Sequence, residues 1–229
     1  MKKPSEVHVA VGTGAATTAL VYAATDARAV AALILGHGAG AGQHSTFMVD
    51  VAQALSVHGL DVITFNFLYT EQKRRLPDRG PVLEDCYRAV IDAARAQLDS
   101  ARRALFIGGK SMGGRIATQV AAADPALPVA GLVLLGYPLH PPGQPQKLRD
   151  VHLPSVRRPM LFVQGSRDAF GTPDELAPIL ARLSPSPVVH AIDGGDHSFK
   201  LSRTDPLRQS GIHSEIQRTI AAWITAGGT

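Results

Sequence analysis

Short runs of uninterrupted apolar residues recur along this chain, with amphipathic stretches between them. The central runs are residues 32–35, 62–65, 104–107, 131–135 and 160–163. Runs without polar alternation suit strands buried on both faces, the situation of parallel strands covered by helices. Two earlier runs, 7–11 and 19–23, read as an antiparallel pair, and 188–191 adds a last strand. Between strands, residues 82–98 place Leu83, Cys86, Val90 and Ala93 on one helical face, and Ile212, Ile216, Ile220, Trp223 and Ile224 form a second stripe. Repeated β-α units after an antiparallel start predict a three-layer, mostly parallel sheet with helices on both faces. Ligands of such sheets bind beyond the carboxyl ends of the strands.

Composition narrows the class. With 229 residues, 45% of them apolar and 18% charged, the chain suits one domain spanning 1–229 with a sizeable core. The single cysteine, Cys86, excludes an internal disulfide and sits on an apolar helix face as a buried thiol. Met1-Lys2-Lys3-Pro4-Ser5-Glu6 has lysines but no apolar stretch behind them, so no signal peptide is predicted, and no run reaches membrane-spanning length. The expectation is a soluble cytoplasmic protein with no membrane partner. The net charge of +4 comes from scattered arginines and one cluster, Lys73-Arg74-Arg75 with Arg79 nearby. That cluster lacks interleaved aromatics, which argues against a nucleic-acid surface, and a solvated loop is favoured slightly over anion recognition.

Chemistry is concentrated at strand ends. The run 104–107 leads into Gly109-Lys110-Ser111-Met112-Gly113 and then a helix-like segment, 114–123. Strand, G-x-S-x-G and helix describe a turn so sharp that the serine is strained and held above the sheet. Side chains two residues to either side would collide, hence Gly109 and Gly113. The plainer alternative is a Gly-rich turn with Ser111 as a helix cap. Gly109-Lys110-Ser111 also resembles the end of a phosphate-binding P-loop. That loop needs a glycine five positions before Gly109, where Ala104 stands inside the strand.

A nucleophilic serine needs a base, and the base an orienting carboxylate. His197, in Gly194-Gly195-Asp196-His197-Ser198-Phe199, follows the last strand on a glycine-rich loop. His8, His58, His190 and His213 fall on strands or helices away from the crest of the sheet, whereas His140 and His152 sit in an insert that can approach substrate. Asp168 closes the preceding strand. Of its competitors, Asp196 adjoins His197 and would diverge from it, Asp174 and Glu175 read as first-turn helix acids after Pro173, and Asp193 remains. Oxyanion donors are expected from the backbone N–H of Met112 and from the loop Gly36-His37-Gly38-Ala39-Gly40-Ala41-Gly42, with Ala39 first and Gly40 second. His37 precedes the donor and reads as structural. A His37/His44 pair lacks a third ligand, so no metal and no cofactor is assigned.

Together these residues resemble the serine α/β-hydrolases, and more narrowly the small alpha/beta-hydrolase-like family typified by testis-expressed protein 30, related at a distance to dienelactone hydrolases. The resemblance runs from Leu33 to Lys200. It is carried by the 36–42 loop, Gly108-Gly109-Lys110-Ser111-Met112-Gly113-Gly114-Arg115, Gly136-Tyr137-Pro138-Leu139-His140-Pro141-Pro142-Gly143, Gly165-Ser166-Arg167-Asp168 and the His197 loop. It implies an α/β-hydrolase fold with nucleophile, acid and base at Ser111, Asp168 and His197. The segment from Phe65 to Arg79 is also family-like, apart from Leu68 where proline is more usual, and suggests Tyr69 or Arg74 at the pocket's border. The Pro-rich insert 138–154, carrying Lys147 and Arg149, is too short for a lid domain and implies a shallow, open site.

The leading expectation is a serine hydrolase of a small ester or thioester, acting through an acyl-enzyme on a small-molecule acyl substrate. Gly40, Tyr69, Arg74 and His140 are the candidate substrate contacts. Two other readings use the same residues: a non-catalytic binding or assembly module, since some relatives serve as assembly subunits, and an amide or peptide hydrolase. Lys110 has no role in any of them.

Overall fold

The computed structural model describes residues 3–25, 28–201 and 206–228. Strands β1 (Ser5–Val11) and β2 (Ala15–Tyr22) form the antiparallel opening. The chain then runs β3 (Ala31–Gly36), α1 (Thr46–Val57), β4 (Leu60–Phe65), the short α2 (Leu68–Glu71), α3 (Gly80–Gln97), α4 (Asp99–Arg103) and β5 (Leu105–Lys110). It continues through α5 (Met112–Ala123), β6 (Gly131–Leu135), β7 (Met160–Gly165), α6 (Pro173–Leu180), β8 (Val188–Ile192) and α7 (Pro206–Thr225).

All eight expected strands form one sheet, ordered β1-β2-β4-β3-β5-β6-β7-β8. β2 is antiparallel to both β1 and β4, and every pairing from β4 to β8 is parallel. From β3 the chain first moves outward to β4, then crosses back over β3 to β5. That reversal opens a crevice at the carboxyl ends of β3 and β5, the place where such sheets bind ligands.

The uninterrupted apolar runs have a direct cause. Leu33, Ile34 and Leu35 are all fully buried, although neighbours on a strand face opposite sides. Ile34, Ile107, Leu134 and Phe162 pack with Cys86, Val90, Ile116, Val120 and Leu176 of α3, α5 and α6. Leu33, Val62, Phe106, Val133 and Leu161 pack with Met48, Val51 and Leu55 of α1 and with Ile216, Ile220 and Trp223 of α7. Each such side chain contributes about 2 kcal/mol of burial, so a charge in any central run would face a dry layer on either side. β8 is an edge strand, and its Val188 and Val189 are exposed.

Two local details matter for the site. β5 extends to Lys110, beyond the expected 104–107, because residues 106–110 pair with β6 and residues 105–109 with β3. Only Ser111 therefore separates strand from helix, which leaves no room for a phosphate-wrapping loop. At α6, Thr172 and Glu175 form a capping box after which Pro173 starts the helix, so Glu175 serves the helix start. The insert beyond Pro138 holds only a 3₁₀ turn, Leu153–Ser155, and builds no lid. Among the described residues no helix is long and apolar enough to cross a membrane.

Candidate active site

Ser111 has φ +51° and ψ −113°, a conformation that costs an L-residue about 1–3 kcal/mol. The surroundings hold it there. A Cβ on Gly109 would lie 2.2 Å from the carbonyl oxygen of Gly36, and one on Gly113 only 2.1 Å from the same atom. Both glycines are thus demanded by the close passage of β3, and the expected collision is with that neighbouring strand.

Three side chains from different strand ends meet at this turn. His197 Nε2 lies 2.9 Å from Ser111 Oγ, and His197 Nδ1 lies 2.8 Å from Asp168 Oδ2. A carboxylate accepts only, so Nδ1 carries the proton and Nε2 accepts from the serine hydroxyl. Asp168 is 1% exposed, and its charge is fully bonded: Gln164 Nε2 donates to Oδ2 at 2.9 Å and the Phe170 N–H to Oδ1 at 2.8 Å. The Phe170 ring lies against the imidazole of His197, centroids 4.2 Å apart. The rival acids are engaged elsewhere. Asp196 accepts from the N–H groups of Ser198 and Lys200, Asp193 meets Arg208, and Asp174 and Glu175 occupy the first turn of α6.

Gln164 is a residue the sequence reading passed over. Besides Asp168 it holds Tyr137 N–H at 2.8 Å and the carbonyl of Gly171 at 2.6 Å. It thereby ties the Asp168 loop to the end of β6. Its signal was available: a polar side chain ending an otherwise apolar buried strand needs partners. Lys110 also acquires surroundings. Its Nζ donates to the His197 carbonyl at 2.5 Å, sits 5.2 Å from the Phe199 ring centroid, and fills the space that a side chain on Gly136 would need. Desolvation holds the ammonium down to about 8, against the opposing pull of Asp168 and Asp196.

The 36–42 loop passes over the serine. A Cβ on Gly38 would come within 3.6 Å of Ser111 Cβ. The Ala39 N–H has no acceptor among the described residues, and Met112 is the first residue of its helix, where N–H groups lack intrahelical partners. His37 faces away: Phe67 N–H donates to Nε2 at 3.2 Å, which leaves Nδ1 to donate to the Gly38 carbonyl at 2.8 Å. Burial pushes its pKa down, so it is a neutral brace for the loop.

A cleft of about 1300 Å³ opens over Ser111, with Ala39, Met112 and His197 in its wall. It is larger than the short insert suggests, because α1, residues 77–83 and α7 wall it as well. None of the four candidate substrate contacts reaches it. Gly40 stands on the exposed outer turn of its loop, at φ +74°. Tyr69 is turned inward, 2% exposed, with its ring against His37. Arg74 is paired with Asp78 at 2.5 Å, and it is Pro77, Asp78, Gly80 and Leu83 that border the cleft. His140 is buried beneath its loop, between Glu175 and the Pro141 carbonyl. Conversely His213, set aside as a helix residue, lies in the cleft wall on α7. Cys86 is buried as expected, its thiol pushed up to about 12 by desolvation.

An eight-stranded, mostly parallel sheet with helices on both faces and no lid, carrying a strained serine at its switch point, defines an α/β-hydrolase fold. Residues 29–225 match the family model described as "Alpha/beta hydrolase domain", and the chain belongs to that family. Solved structures agree on the fold. A dienelactone hydrolase from Anabaena variabilis is 22% identical, with 98% of this chain and 99% of that one aligned at a TM-score of 0.75. A serine hydrolase without a lid from Xanthomonas campestris is 21% identical over 97% and 96% of the two chains, TM-score 0.72. Est1E from Butyrivibrio proteoclasticus, solved with ferulic acid bound, is 13% identical over 96% and 99%, TM-score 0.76.

Proposed function

We propose that this protein is a serine hydrolase that cleaves a small ester or thioester through an acyl-enzyme. The observation that carries the reading is the Oγ–Nε2 and Nδ1–Oδ2 chain from Ser111 through His197 to buried Asp168, set at the mouth of a cleft. Ser111 attacks the carbonyl carbon while His197 Nε2 takes its proton. Asp168 keeps the imidazole in the required tautomer and balances its positive charge. The N–H groups of Met112 and Ala39 receive the developing oxyanion. His197 returns the proton to the leaving oxygen or sulfur, then deprotonates a water that attacks the acyl carbon and frees Ser111.

Kinship with the testis-expressed protein 30 group is part of this proposal, supported by the elbow followed by Arg115 and by the 136–143 segment. So are a single domain over the whole chain and a cytoplasmic setting. Labelling with a fluorophosphonate probe tests the chemistry. Wild type labels at neutral pH and Ser111→Ala does not; a wild type that stays unlabelled overturns the reading in favour of a binding module. On ester substrates Ser111→Ala loses about 10³-fold or more in turnover.

A further inference from the structure

The cleft wall carries two guanidinium groups that the proposed mechanism does not use, Arg115 on α5 and Arg149 on the insert. Neither pairs with a carboxylate among the described residues. Arg115 reaches only Gln119 Oε1, at 3.4 Å, and Arg149 only the Pro138 carbonyl, also at 3.4 Å. Glu84, the acid nearest in influence to Arg115, is engaged with Arg88 at 3.3 Å. Burial together with the charge of Arg149 holds the Arg115 guanidinium below its ordinary value. Two like charges facing one half-buried space, with Asp150 nearby but no described carboxylate within ion-pair distance of either, are costly, and an anion between them relieves that cost.

Their placement relates them to the serine. Arg115 stands in the first turn of α5, directly beyond the turn that holds Ser111, and both line the cleft together with Arg149. Elsewhere in the wall Phe47, Met48 and Leu201 are apolar, and of the two acids there Asp78 is already bonded to Arg74 and Asp50 stands on α1. The cleft wall around Ser111 therefore offers both apolar side chains and two guanidinium groups without carboxylate partners among the described residues. Planar guanidinium groups match carboxylates in a bidentate fashion.

We propose that the ester taken by this cleft carries a carboxylate a few carbons from the scissile bond, held by Arg115 and Arg149, while its apolar remainder lies against Phe47, Met48 and Leu201. This rests on the hydrolase reading above. The test compares two pairs of esters that differ by one carboxylate: the p-nitrophenyl monoester of adipic acid against p-nitrophenyl hexanoate, and p-carboxyphenyl butyrate against p-methylphenyl butyrate. The first pair places the anion on the acyl side, the second on the leaving side. Wild type prefers the anionic member of at least one pair, and Arg115→Met and Arg149→Met each lower that kcat/KM ratio by about tenfold. A ratio at or below one in both pairs, or ratios unmoved by both substitutions, overturns the proposal. Binding is read separately from turnover with free adipate. Adipate raises the Tm of Ser111→Ala, and the rise is lost when Arg149→Met is added. No rise in Ser111→Ala overturns the anion site, whereas a rise without turnover of any ester overturns only the hydrolase reading.

Discussion

Replacing Lys110 by methionine separates what this residue costs from what it holds. Depressing a lysine from 10.5 to about 8 corresponds to about 3 kcal/mol against the charged form at neutral pH, an upper bound for a half-buried group. Methionine has similar length and no charge, so it removes that cost. It also removes the hydrogen bond to the His197 carbonyl, a loss of about 1–2 kcal/mol. At pH 7 Lys110→Met is therefore more stable than wild type, by about 1 kcal/mol. The balance changes with pH. A folded-state value below the unfolded one means that the unfolded chain binds more protons between pH 8 and 10.5, so wild-type stability climbs through that window and its deficit disappears. Above it the lysine is neutral in both states, only the hydrogen bond distinguishes the proteins, and wild type is the more stable. Urea unfolding at pH 7 and at pH 10.5 reads this reversal of sign. Turnover moves the other way: a slackened His197 loop misplaces Nε2, and the variant loses about ten- to a hundredfold in kcat at pH 7. A variant less stable than wild type at both pH values by the same amount would refute the desolvation account. Full activity would show that the contact to the His197 carbonyl does not position the base.

Two other substitutions examine the site. Ser111→Gly should abolish fluorophosphonate labelling yet raise Tm by about 2–4 °C, because glycine accepts the positive φ of the turn and the relieved strain exceeds its extra chain entropy. A lower Tm would mean the turn is not strained. Gln164→Leu leaves Tyr137 N–H, the Gly171 carbonyl and one bond of Asp168 without partners. It should cost about 3 kcal/mol in urea unfolding and lower kcat/KM, and wild-type-like values of both would remove Gln164 from the support of Asp168.

The fold was legible because its signal is local. A strand covered on both faces must be apolar without alternation, and β3, β4, β5, β6 and β7 each show this in a few residues. Their ends were less legible. β5 continues through Gly108 and Gly109, which carry no apolar signal, because the backbone of β3 and β6 supplies the pairing. Ser111, Asp168 and His197 were readable for a related reason. Each ends or follows a strand in a short sequence with glycines demanded by geometry, so the backbone requirement leaves a mark beside the chemical group.

No such mark accompanies the walls of the cleft. Tyr69 and Arg74 were placed at its border by their distance from the end of β4, but α2 turns Tyr69 under His37, and Arg74 stands behind Asp78, which takes its place in the wall. Arg149, Leu201 and His213 come instead from the insert, the loop after β8 and α7. They are far apart in sequence and are joined only by the crossing of the chain at the switch point. A backbone constraint confines residue choice within a few positions, whereas a wall of side chains from separate elements confines it only through the volume and charge they share. The proposed reaction is consequently written in the local motifs of this chain. The proposed substrate preference is written in Arg115, Arg149 and Phe47, which come together only once α1, α5 and the insert face the same space.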